Sequence, residues 1–305
     1  MPQLPHAAEE AARKGFDAGA TIIGHVANSS LDHPLIHIPK VYGIDLSVTK
    51  HVLMLWVVAA LVFLIVTTTV RRYVRQDRLV PSGFMNALEF IVEYIRDEIV
   101  RPNVGGKWVG AWTPLLLTLF FFILSANLIG LIPIFDVIAL LNHTVIHPSE
   151  ESFLAQVTHG GTTATGNYNV TAALATVTFF AIIIAGSRAH GFFKHWANLV
   201  PPGLPWSLLL LPIEVMGMLV RPFALTMRLA ANMTGGHIAV LSLISFVFIF
   251  AEMFQRASVG IGVGLVAVSF AGLLSVLEVL VVLIQAYVFT LLSAVFIGLA
   301  IHAHH

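Results

Sequence analysis

The stretch "HVLMLWVVAALVFLIVTTTV", residues 51–70, decides the fold class. Its twenty residues carry no charge after His51. A helix rising about 1.5 Å per residue covers a hydrocarbon core of about 30 Å over that length. "RRYVRQDR" (71–78) follows and ends the run at a basic boundary. Working outward, the 305-residue chain is 57% apolar and only 10% charged, where a soluble domain carries about a quarter charged residues. These features predict an all-α integral membrane protein. The formal net charge is zero, which gives no basis for a nucleic-acid partner. With no cysteine, disulfides, thiolate metal sites and thiol nucleophiles are excluded. The N-terminal "MPQLPHAAEEAARKGF" has no apolar core behind a basic start, so a cleaved signal peptide is not expected. The closing "HAHH" reads as an exposed tail rather than a metal site, and no metal or cofactor is expected.

Residues 1–49 are polar and mixed, and read as a peripheral segment with a short helix near 6–18. Residues 50–305 read as the membrane domain. After Ser82, a predicted N-cap, Phe84, Leu88, Ile91, Ile95 and Ile99 recur at helical spacing, with Glu89, Glu93, Arg96 and Asp97 on the other face. This predicts an amphipathic helix over about 83–100, lying on the membrane or against a partner. Further spans are expected over about 114–134, 171–186, 207–257 and 263–302, making about five membrane segments in all. A polar loop (136–170, with Gly160, Gly161 and several threonines) and a linker (187–206) separate them. The last two segments are too long for one perpendicular crossing. They must tilt steeply or break, with Gly235, Gly236, Gly260, Gly262 and Gly264 as break points.

Lysine and arginine set the expected orientation. Residues 71–112 hold seven of them, the linker 187–206 two, and the loop 136–170 none. The positive-inside rule puts the first two in the cytoplasm and the loop outside. With five crossings, the N-terminus is outside and the C-terminus cytoplasmic.

Charge inside the membrane is costly, about 2.5–3.5 kcal/mol per residue on insertion scales. Yet Glu214, Arg221, Arg228 and Glu278 stand inside the last two segments, with Asn232, His237 and Gln285. Glu214, Arg221 and Arg228 are seven apart, and seven residues bring a helix nearly back to the same face. Asn232 extends that stripe, and Glu278 and Gln285 share a face of the other segment. In an antiparallel hairpin, facing residues have a constant index sum. Arg228 with Gln285 gives 513 and His237 with Glu278 gives 515, so both pairs can match in height. Nine residues separate Arg228 from His237, however, which sets them on opposite sides of a straight helix. Either Gly235-Gly236 distorts the helix, or the two residues serve different surroundings; the second is favoured. Packing roles compete throughout. Glu214 and Arg221 could simply pair, Arg221 could snorkel, and a His–Glu pair could be glue. Arg228 has no acid within one turn of its own helix, so its partner must come from elsewhere in the fold or from another subunit.

These residues carry a resemblance. "MRLAANMTGGH" (227–237) is similar to the signature of subunit a, the proton-channel stator of the F-type ATP synthase membrane sector. "NLIGLIP" (127–133), "NVTAALA" (169–175), "PIEVMGMLVRPFAL" (212–225) and "QAYVFTLLSAVFIG" (285–298) resemble further blocks of that family, in its order. The similarity covers about 50–302, and the first fifty residues match poorly. The resemblance implies a stator beside a rotating ring of c subunits, with two half-channels that reach the ring's carboxylates from opposite sides. It implies b subunits of a peripheral stalk and other synthase subunits as partners, a lipid bilayer around the chain, and a bacterial inner membrane. It places the family's essential arginine at Arg228 and its external proton path at His237 and Glu278. Asn232 and Gln285 would hold water or orient the arginine, and Glu214 would serve the cytoplasmic exit. Asn127 and Arg221 are further channel-lining positions. Gly130 stands where other members carry an acid, so no proton-handling role follows there. The resemblance also implies a long, tilted C-terminal helical hairpin and no catalysis by this chain itself.

The rival reading is a self-contained secondary ion transporter, which would need an exchangeable carboxylate of its own and often carries inverted repeats. No repeat is visible. An intramembrane enzyme or haem protein is a further alternative, but no HExxH motif occurs.

Overall fold

A computed structural model describes residues 19, 22–23, 36–39, 47–75, 82–131, 164–197, 207–254 and 257–302. The helix expected near 6–18 lies outside them. In chain order the helices are α1 (Lys50–Arg75), α2 (Phe84–Tyr94), α3 (Arg101–Val104), α4 (Val109–Leu131), α5 (Tyr168–His190), α6 (Phe192–Ala197), α7 (Ser207–Phe254) and α8 (Ala257–Ile301). A π-helical turn, Ile95–Val100, joins α2 to α3, and a 3-10 turn, Ala164–Gly166, precedes α5. An isolated antiparallel bridge links Ile36 and Val48. Five helices (α1, α4, α5, α7 and α8) are long and apolar enough to cross a membrane. Large apolar side chains such as Trp56, Phe63 and Leu64 on α1 are exposed, as lipid contact allows and water would not. Thr67 and Thr68 close their hydroxyls onto the carbonyls of Phe63 and Leu64, at 2.5 and 2.6 Å, so neither presents an unpaired donor there.

The amphipathic segment differs from expectation in two details. Its N-cap is Gly83, not Ser82, with φ of 63° and no side-chain cap. A left-handed backbone suits glycine and disfavours serine. Its last turns widen into the π turn before α3. Ile95, Ile99 and Val100 point inward from that turn. They pack with Val104, with Trp112 and Leu116 of α4, with Ile182 and Ala185 of α5, and with Ala294 and Ile297 of α8. On the outer side Arg96 holds Asp97 bidentately, Nε to Oδ1 at 3.1 Å and Nη2 to Oδ2 at 2.7 Å. Arg101 adds a contact at 3.1 Å. The Arg96 hydrogen bonds hold the Asp97 carboxyl below its ordinary pKa. These pairs lie near the surface, where solvent screens them and their contribution is small.

The seam with α8 is closer than side chains alone would permit. A Cβ on Gly298 would fall well inside 3.0 Å of the Asn103 carbonyl. The two backbones therefore touch. A similar device docks α6 on α5, where the His195 ring covers the bare backbone of Gly186. His195 is buried and, among the described residues, its Nε2 has no hydrogen-bond partner, as is true of Ser187 Oγ and His190 Nε2 nearby. Burial, then the neighbouring His190, lowers the His195 pKa.

The chain divides into two compact units, one of residues 52–129, 163–231 and 282–305, the other of 1–51, 130–162 and 232–281. α7 and α8 each contribute to both. Neither breaks at its glycines, contrary to one of the two expectations: α7 is helical over 48 residues and α8 over 45. α7 also carries Pro212 and Pro222 without interruption. The reason for the Gly235-Gly236 pair is found in packing.

Candidate functional site

In the unit containing 232–281, α7 and α8 run antiparallel. Gly264 lies against Val247, where an added Cβ would stand 3.5 Å from Cγ1, an index sum of 511. Eleven residues back along α7, Gly236 lies beneath Glu278. A Cβ there would sit 2.6 Å from Oε1 and 3.1 Å from Cδ, so the carboxyl occupies the space a side chain would have filled. Beside it His237 Nδ1 is 3.9 Å from Glu278 Oε1. This is ion-pair range, too long for a hydrogen bond. The Glu278 side chain is 8% exposed and that of His237 28%, so the acid is sealed and the imidazole reaches outward. Glu278 Oε1 is buried with no hydrogen-bond partner among the described residues. An open acceptor buried in an apolar wall is costly, about 1–3 kcal/mol or more. Such an acceptor calls for a donor opposite it.

In the other unit, Arg228 is exposed. Among the described residues it has no ion pair or hydrogen bond. Its face of α7 carries Ala224 and Ala231, both exposed, while Leu225, Leu229 and Ala230 are buried. Arg221, one heptad earlier, is half-buried with its guanidinium 5.6 Å from the Phe296 ring centroid. It stacks as a cation on an aromatic face. Of Glu214 the structure describes only the helical backbone. Gln285 on α8 is buried beside Ala286 and Phe289. Asn232 is exposed, one turn beyond Arg228 on α7. Of the two pairs that the index sums allow, His237–Glu278 is in contact, whereas Arg228 makes no hydrogen bond to Gln285. The helix stays regular between Arg228 and His237, and the two have different surroundings.

Asn127 is fully buried on α4, and the Thr165 hydroxyl, also fully buried, donates to its Oδ1. Asn127 Nδ2 has no hydrogen-bond partner among the described residues. Thr165 was not singled out by sequence. It stands 38 residues from Asn127, and one threonine among several in the loop 136–170 gives no signal of its own. A second buried polar link joins α5 to α8, where Thr178 Oγ1 and Ser293 Oγ are 3.2 Å apart.

A multi-span helical protein with a buried acid beside a half-open histidine, and with an unpaired arginine on a small-residue helix face, belongs to the class that moves protons across membranes. Comparison with known proteins gives the family. Residues 52–298 match the family model described as "ATP synthase A chain". The chain is 39% identical to "ATP synthase subunit a 2" of Chlorobium luteolum, over 97% of this chain and 80% of that protein. It is 38% identical to "ATP synthase subunit a" of Chloroherpeton thalassium (89% and 72% covered) and also of Chlorobium phaeobacteroides (99% and 81%). The chain belongs to the ATP synthase A chain family. It is a non-catalytic membrane subunit, the proton-translocating stator component of the Fo sector, and its partners are among the other ATP synthase subunits. The reading as a self-contained secondary transporter is set aside.

Proposed function

We propose that Arg228 is the permanent cation that separates two proton half-channels, each serving carboxylates on a rotating c ring. The observation that carries this reading is a guanidinium exposed on a helix face with no acid of its own chain beside it among the described residues. In lipid that arrangement is costly unless a partner brings the counter-charge. Guanidinium is too weak an acid to give up its proton. It therefore attracts a ring carboxylate and favours its ionised form, yet cannot relay the proton onward. Ala224 and Ala231 on the same face leave room for close approach.

Protons enter through the His237–Glu278 pair. The exposed side of the imidazole receives a proton, and the open Oε1 accepts it behind. Asn232 and Gln285 order water near the arginine, Asn127 lines the external path with Thr165, and Glu214 serves the cytoplasmic exit. Arg221 supports the wall by its stacking on Phe296. The apolar part of α7 spans 39 residues, about 58 Å at 1.5 Å per residue. Fitted into a core of about 30 Å, it inclines about 60° from the membrane normal. That inclination would lay the hairpin along a ring's flank. Residues 1–49 form a peripheral segment, b subunits of a stalk hold the stator, and the chain lies in a bacterial inner membrane with its N-terminus outside and C-terminus cytoplasmic. Each proton gains about 2.3 kcal/mol per 100 mV of potential.

The test is Arg228→Ala in the intact complex. Coupled ATP synthesis is lost while the complex still assembles. Synthesis at the wild-type rate would refute the role.

A further inference from the structure

A cavity of about 300 Å³ opens where the loop between α3 and α4 meets the ends of α5 and α8, lined by Val104, Lys107, Trp108, Ala189, Ile301 and His302 among others. Three membrane-length helices stop here: α4 begins at Val109, α5 ends at His190 and α8 ends at Ile301. The ends of spanning helices lie at the depth of lipid headgroups. The walls at Val104, Ala189 and Ile301 are apolar, whereas Lys107 and His302 are exposed at the cavity. None of the lining residues is acidic. His302 Nδ1 lies 2.9 Å from the Gly298 carbonyl and donates to it. Its Nε2 is thereby turned toward Gly105, 3.2 Å from where a Cβ on that residue would stand. Gly105 itself has φ of 79°, a conformation that keeps the loop open. The amides of Gly106 and Lys107 donate no hydrogen bond among the described residues.

We propose that this cavity holds the phosphate group of an anionic phospholipid. Lys107 Nζ, the free loop amides and, when protonated, His302 Nε2 supply donors to the phosphate oxygens. The apolar walls take the glycerol and the head of the chains. A zwitterionic choline headgroup fits poorly. Its ammonium would seek an aromatic face, and the Trp108 face already has Lys107 Nζ 5.5 Å from its centroid. A free phosphate ion shares the same donors but leaves the apolar walls bare.

The experiment uses the intact synthase in nanodiscs of phosphatidylcholine with one fifth phosphatidylglycerol. Native mass spectrometry counts the phosphatidylglycerol that stays bound after detergent washing. The wild type retains one molecule more than Lys107→Gln, whose apparent affinity falls about tenfold, the loss of one charge-assisted contact. Lys107 is exposed, so the variant melts like the wild type. His302→Gln reproduces part of the loss. Adding inorganic phosphate tells the sources apart. Retention that phosphate does not disturb assigns the site to lipid, and displacement assigns the same donors to the free ion. Equal retention by wild type and Lys107→Gln, or phosphatidylcholine held as tightly as phosphatidylglycerol, overturns the proposal.

Discussion

Gly236→Ala isolates the chemistry of the acid site from its stability. The new Cβ would lie 2.6 Å from Glu278 Oε1 and 3.1 Å from Cδ. An ordinary contact is about 3.5 Å, so the carboxyl must withdraw by about 1 Å. It is the end of a flexible side chain, and a twist of about 30° off its rotamer costs about 0.5–1.5 kcal/mol. Replacing glycine by alanine inside a helix returns about 1 kcal/mol. The two nearly cancel, so the assembled complex should melt as the wild type does. Proton passage should not be spared, because a displacement of about 1 Å at a reacting group costs up to about 10²-fold in rate. The expected result is a fall of about tenfold in proton flux through the intact complex in vesicles, followed with a pH-sensitive dye under an imposed potential. Gly272→Ala is the control, since a Cβ there meets nothing within 4 Å. It should leave flux unchanged. Wild-type flux in Gly236→Ala would refute the reasoning, as would an equal loss in the control.

Glu278→Ala should slow proton passage more than Arg221→Ala does, because the first removes the relay acid and the second only a cation stacked on Phe296; pumping rates in the reversed order would count against that ranking. Gly298→Ala forces a Cβ into the Asn103 backbone, which cannot swing aside as a side chain can. Overpacking of this kind costs about 1–3 kcal/mol, and a complex whose melting temperature does not fall would exclude the contact. Thr165→Val removes the hydroxyl that donates to Asn127 while keeping its shape, and should cost about 1–2 kcal/mol; restored stability in Thr165→Ser, and none in Thr165→Val, is the expected pattern. His195 gives a pH dependence. Burial lowers its folded pKa, so the docked, neutral form is fully favoured above the unfolded value of about 6.5 and loses ground as pH falls from there through the lowered folded value. Protection from hydrogen exchange over 192–197, referred to the intrinsic rate at each pH, should fall from pH 7.5 to 5 in the wild type, and a flat profile would remove His195 from this role.

What sequence could read was whatever depended on neighbours along one helix. The charge-free run after His51 is α1, and the sevenfold spacing of Arg221 and Arg228 lies on one unbroken α7. The arithmetic sum of 515 anticipated the contact of His237 with Glu278. What it missed depended on partners distant in sequence. Gly235-Gly236 looked like a breaking point, yet the missing Cβ at Gly236 is where the Glu278 carboxyl rests. Ser82 has a good capping side chain, but the chain enters α2 with positive φ at Gly83. α5 begins at Tyr168, three residues before the expected start, because Asn167 caps it by accepting from the Asn169 amide at 2.8 Å. Thr165 reaches Asn127 through a fold that no local pattern encodes.

The touch between Gly298 and Asn103 has a mechanical meaning. Two main chains pressed together have no rotamers to yield through, unlike interlocked side chains, so the joint transmits force with little give. A stator must resist being dragged along by whatever turns beside it. Sideways push arriving along α8 is thereby handed to α3 and to the charged turn of Asp97 and Arg101 that runs into it.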